Sequence, residues 1–162
     1  MKYFDLLCRT AGALGSIAAV VGVIITLASY RKKLKVTGEF PIRNSNVFVI
    51  RIANSRNCDN EVKSIDFIKG NPRKSESHIF HSVSFSGYTE HLNPTTNNII
   101  VPHSSYVDIP VPCKCVACNY KKIGEAFGKP FDTIFVQVRD VNGNTYSINT
   151  NANVNFFRKL SE

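Results

Sequence analysis

The chain changes its hydrophobic rhythm once. From Thr10 to Tyr30 it reads TAGALGSIAAVVGVIITLASY, 21 residues without a charge. A helix rises about 1.5 Å per residue, so such a run spans roughly 30 Å, the thickness of a bilayer's hydrocarbon core. A buried helix of a soluble domain would carry some polar face. The pattern predicts a transmembrane helix over residues 10–30, preceded by a flank over residues 1–9. A cleaved signal peptide competes, since Thr26-Leu27-Ala28 is small enough for a cleavage site. The run is longer than a usual signal core, however, and the basic residues behind it would have to be exported with the chain.

Beyond a basic segment, residues 31–35, the rhythm becomes period two, and residues 36–162 read as one β domain. In NVFVIRIAN, Phe48, Ile50 and Ile52 face one way and Val49 and Arg51 the other. SYVDIPV sets Val107, Ile109 and Val111 against Tyr106, Asp108 and Pro110; DTIFVQVRD sets Ile134, Val136 and Val138 against Phe135, Gln137 and Arg139. Such alternation predicts half-buried strands. Further strands are expected over 34–40, 62–68, 79–85 and 97–101. Pro110 marks an edge strand or a strand end, because proline cannot donate to a ladder. Asn142-Gly143 lies between alternating segments and suits the positive φ angles of a tight hairpin. Loops are expected at 54–60, 70–76 and 91–97. NYKKIGEAFGKP supplies one short helix before Pro130, and Phe156 and Phe157 pack a last strand or tail onto the domain. The predicted fold is mainly β: an N-terminal transmembrane helix, then an antiparallel β-sandwich with one short helix.

The order of segments carries a resemblance. A basic anchor is followed by VFVIRIANS, VKSIDFI, NNIIVPHSSYVDIPV and TIFVQVRDVNGNTYSI. One strand ends in Asn54-Ser55, and a D-x-x-G-x-x-Y hairpin (Asp140, Gly143, Tyr146) comes near the end. Over residues 34–150 the chain resembles the immunoglobulin-like or fibronectin-like sandwiches of small membrane-tethered proteins of bacteria and their phages. The resemblance implies an interaction module in a mobile-element or phage-interference setting.

Charge changes the picture of location. The net charge is +8. Lys2, Arg9, Arg31, Lys32, Lys33 and Lys35 fall within residues 1–35 against the one acid Asp5, so most of the excess flanks the apolar run. A nucleic-acid binder carries its basic stripe on the folded domain, and no nucleic-acid partner is expected. The heavier flank, Arg31, Lys32, Lys33 and Lys35, points to the cytoplasm by the positive-inside rule. The expected protein is a single-pass protein of the cell membrane with its C-terminal domain in the cytosol. Small residues recur four apart in the apolar run, as Ala11, Gly15 and Ala19 and as Ala18, Gly22 and Thr26. That spacing favours close helix packing and a homo-oligomer, or pairing with another membrane protein.

The strongest chemical candidate is VPCKCVACNYKK. Cys113 and Cys115 share a face if the segment is extended, Cys118 returns after a turn, and Cys58 offers a fourth donor. Structural zinc needs four ligands, usually as two closely spaced pairs; only Cys115 and Cys118 have that spacing. The expectation is reduced thiols at a strand end, some of them buried, without metal or other cofactor. His78 and His81 fall on opposite faces of a strand, and no H-E-x-x-H motif, phosphate loop or nucleophile elbow occurs. No catalytic constellation assembles, and a non-enzyme is expected. The first functional expectation is therefore a membrane-anchored module that binds an unidentified protein partner through loops 54–60, 71–77 and 91–97. Two alternatives stay open: a cytosolic metal or redox sensor built on Cys113, Cys115 and Cys118, and an exported surface-facing receptor or adhesin.

Overall fold

The computed structural model describes residues 19–24, 34–41, 46–70, 78–120 and 133–160. The chain divides into two units, Met1–Lys33 and Leu34–Glu162. In the first unit residues 19–24 are helical, with Val20, Val23 and Ile24 exposed. Ala19 and Gly22 lie in this helical stretch; the rest of the expected membrane helix, Ala11 and Gly15 included, lies outside the described residues, as do Arg31, Lys32 and Lys33. Among the described residues no helix is long and apolar enough to cross a membrane.

The second unit is mainly β, and the described residues hold eight antiparallel strands with short helices. The strands are β1 (Leu34–Glu39), β2 (Val47–Asn54), β3 (Asn60–Lys69), β4 (His78–Ser82), β5 (Ile99–Val101), β6 (Ser105–Pro112), β7 (Thr133–Asp140) and β8 (Thr145–Asn153). Helix α1 is Cys113–Asn119, helix α2 is Val154–Lys159, and Thr89–His91 forms one 3-10 turn. The order in one sheet is β1-β2-β6 and in the other β4-β3-β7-β8, with β5 also on β3. β1 begins at Leu34, whose side chain is buried, so Lys35 is a strand residue rather than part of a linker.

Period-two alternation explains the core. Phe48 pairs with Val111, Ile50 with Ile109 and Ile52 with Val107, and all six side chains are buried. The facing sheet supplies Ile65 against Val138 and Phe67 against Val136. A fully buried Ile, Val or Phe contributes about 1.5–3 kcal/mol relative to exposure. Contact between the sheets is direct: the Phe48 and Phe67 rings lie 6.2 Å apart. Among the described residues β6 pairs only with β2, which places Pro110 on an edge strand.

The two ends of this unit differ in kind. At one end α1, α2 and a cluster of aromatic rings close the core; Phe157 is fully buried there, 6.0 Å from Phe48. Phe156 stays exposed and touches Phe40 at 5.1 Å. Asn153 caps α2 by accepting from the Phe156 amide. The expected tail is thus a helix with one buried and one exposed phenylalanine. The short helix expected over 119–130 falls mostly outside the described residues, whereas the cysteine segment before it is the helical one.

At the other end lie the start of β1, the turn from β5 to β6, the β2–β3 loop and the β7–β8 hairpin. Only Gly143 of the Asn142-Gly143 pair takes a positive φ, 80°. The Asp140 carbonyl accepts from the Gly143 amide and the Asp140 amide donates to Asn144. The connection is a four-residue loop rather than a two-residue turn.

Candidate functional site

Strand residues assemble the loop end. Asn54 closes β2 with its side chain buried, and its Nδ2 donates to the carbonyls of Cys58 (3.0 Å) and Val101 (2.9 Å). Its Oδ1 accepts from the Arg56 amide at 3.0 Å. One amide side chain therefore fixes the β2–β3 loop against β5. Glu61, near the start of β3, accepts from Asn93 Nδ2 at 2.8 Å, Asn98 Nδ2 at 2.9 Å and Thr96 Oγ1 at 3.2 Å. Those bonds, Asn98 foremost and then Asn93, hold its carboxyl below the usual glutamate range. The loop over 92–98 is thereby tied to the same end.

Two turns join this surface. The His103 amide donates to Asp59 Oδ1 at 2.9 Å, and the Ser104 amide to the Arg56 carbonyl at 3.3 Å. The Val141 amide donates to the Glu61 carbonyl at 3.0 Å. Asp140, fully buried, receives the Asn144 amide (2.8 Å), Asn144 Nδ2 (2.9 Å) and Tyr146 Oη (3.3 Å). Tyr146 Oη in turn accepts from the Leu34 amide at 3.4 Å. The D-x-x-G-x-x-Y hairpin thus links the last strand to the first.

Beside this end, Lys35, Ala53, Ser55, Ser104, Ser105 and Tyr106 line an open groove of about 510 Å³. Tyr106 is exposed and lies under the Arg51 guanidinium, 4.7 Å from ring to charge. Arg51 grips Asp108 with Nε and Nη2, both at 2.7 Å. That pair raises the arginine and lowers the aspartate from their ordinary ranges. Aromatic–arginine clusters of this kind are common anchors in protein interfaces.

Of the three loops expected to bind a partner, the structure brings two together, 54–60 and 91–97. Loop 71–77 lies outside the described residues, and the strand ends flanking it, Lys69 and His78, pair at the helical end. The β5–β6 turn and the β7–β8 hairpin were not expected in the surface. Strand alternation locates turns but not which of them share an end, which follows from the pairing.

The cysteines separate. Cys113, Cys115 and Cys118 lie on α1, not on an extended segment. Cys113 is buried, and burial pushes its thiol up to about 11. Cys115 and Cys118 are exposed, and Cys58 is exposed in the β2–β3 loop at the opposite end. Among the described residues no group of three or more His, Cys, Asp or Glu is placed to hold a metal ion. His78 is exposed, and His81, half-buried on β4, meets Asn119 Nδ2 through Nδ1 at 2.7 Å. Burial lowers the His81 imidazole from its ordinary range. Asp66 accepts from Ser64 Oγ at 2.9 Å and Ser82 Oγ at 2.6 Å, so both serines are spent on a carboxylate. No family model matches this chain, and no curated protein matches it significantly.

Proposed function

We propose that this chain is a single-pass membrane protein whose β domain, an immunoglobulin-like sandwich, is a non-enzymatic module that binds a partner protein in the cytosol. The strand order β1-β2-β6 over β4-β3-β7-β8 supports the sandwich assignment. The uncharged run over residues 10–30 and the basic residues behind it support the anchor and its orientation. A mobile-element or phage-interference setting follows from the resemblance in strand pattern and rests on analogy alone.

One observation carries the binding role. Buried or strand-borne side chains, Asn54, Glu61 and Asp140, hold two loops and the β7–β8 hairpin in fixed positions at one end, and Asp59 adds the β5–β6 turn. Loops ordered before contact lose little freedom on binding, which raises affinity without added area. The Arg51–Tyr106–Asp108 cluster beside them supplies an aromatic anchor.

The test is capture of partners by the full chain in mild detergent after cross-linking in cells. Asn57→Arg, Thr95→Arg and Val141→Arg place charge on exposed loop-end positions; Asn155→Arg does so at the helical end. A specific partner is expected to be lost with each loop-end change and kept with Asn155→Arg. Equal capture by all four variants rejects the loop end as the interface.

A further inference from the structure

Helix α1 has two faces. Cys113, Val116, Ala117 and Tyr120 are buried at helical spacing, i, i+3, i+4 and i+7, so the opposite face is turned outward. That face carries Lys114, Cys115 and Cys118, all exposed. Residues three apart on a helix stand about 60° apart in rotation and about 4.5 Å apart in rise. Their Cβ atoms are about 5–6 Å apart.

This spacing distinguishes two fates of the thiol pair. A disulfide needs its Cβ atoms about 3.5–4.5 Å apart, so oxidation would have to deform a turn that four buried side chains hold in place. A metal ion set between two thiolates needs no such closure. With metal–sulfur bonds of about 2.3 Å, it spans roughly 4.5 Å between sulfurs. We propose that Cys115 and Cys118 form a two-thiolate site for a soft monovalent metal ion of the copper(I) class.

Ligand number and softness select that class. Zinc in a structural site takes four protein ligands, but Cys113 faces the core and Cys58 lies at the opposite end. The ring nitrogen of His81 nearest α1 is engaged by Asn119. Thiolates prefer soft ions, and copper(I) is satisfied by two of them. Two thiolates and one monovalent ion leave a net charge of −1. Lys114 stands one turn before Cys118 on the same face and balances it.

This site is independent of the membrane and partner-binding readings, and its test uses the full chain in mild detergent, reduced and free of oxygen. Copper(I) is supplied from its bicinchoninate complex, and metal retained per chain is measured. One ion per chain is expected, lost in Cys115→Ser and in Cys118→Ser and retained in Cys8→Ser and Cys58→Ser. Lys114→Gln weakens retention about tenfold, as loss of an outer partner typically does. X-ray absorption is expected to show two sulfur neighbours. Circular dichroism confirms that the serine variants, both at exposed positions, keep their fold. Retention unchanged by either serine variant, one ion shared by two chains, or no retention against the chelator each overturns the assignment.

Discussion

Gly38 shows how one residue sets the approach of two strands. A Cβ there would lie 2.5 Å from Phe48 Cζ and 2.8 Å from Ile148 Cδ1. Phe48 is fully buried and cannot swing away, so the missing side chain lets β1 close against β8. Gly38→Ala is expected to cost about 1–3 kcal/mol by overpacking, read as a lower urea midpoint with an unchanged slope. A second residue-scale prediction separates the thiols. At pH 8, maleimide should modify Cys58, Cys115 and Cys118 in the folded protein. Cys113, buried and with its thiol raised to about 11, should react only after urea is added. Peptide mapping reads this directly, and prompt labelling of Cys113 under native conditions contradicts the burial.

At the scale of elements, the loop end depends on carboxylates in strands. The Glu61 carboxyl is lowered in the folded state, so it stabilises above the ordinary glutamate value, and that stability is lost as pH falls through the lower folded value. Glu61→Gln should flatten the acid side of the stability profile while loosening the 92–98 loop, visible as faster amide exchange at Asn97. Asp140→Ala removes three bonds from a buried acceptor and should cost about 1–3 kcal/mol, with exchange rising at Asn144 and Leu34. Much of this architecture is legible beforehand. Phe48, Ile50, Ile52, Val107, Ile109, Val111, Ile134, Val136 and Val138 alternate in the chain, and all nine are buried. The helix α1 was hidden by its cysteines. Read as a two-residue repeat, Cys113 and Cys115 suggest a strand, although Cys113, Val116, Ala117 and Tyr120 carry the helical period. Loop neighbours such as Asn93 and Glu61 are 32 residues apart, and only strand pairing brings them within 2.8 Å. The notion that one buried asparagine, Asn54, organises the site has a trace in the sequence, as a polar residue ending an apolar strand. Nothing local distinguishes it from an ordinary turn residue.

For the whole molecule, the anchor and the domain make separable predictions. The full chain should sediment with membranes and resist a carbonate wash; recovery in the soluble fraction, or a mature N-terminus near Ser29, ends the anchored reading. A chain beginning at Arg31 should fold on its own with a cooperative urea transition. Beginning instead at Lys35 removes Leu34, which is buried and whose amide bonds Tyr146, and should lower that transition. In intact cells a membrane-impermeant maleimide should leave Cys115 and Cys118 unlabelled until permeabilisation, if the domain lies in the cytosol as proposed. The division of labour at the loop end has a longer consequence. Three of the groups that hold this end, Asn54, Glu61 and Asp140, belong to strands, while the exposed side chains of Asn57, Thr95 and Val141 take no part in the bonds described. Mutations at the tips therefore leave the scaffold nearly untouched, within about 0.5 kcal/mol as for other surface positions. If the loop end binds as proposed, a lineage carrying this domain can drift in what it recognises, generation by generation, without putting its ability to fold at risk.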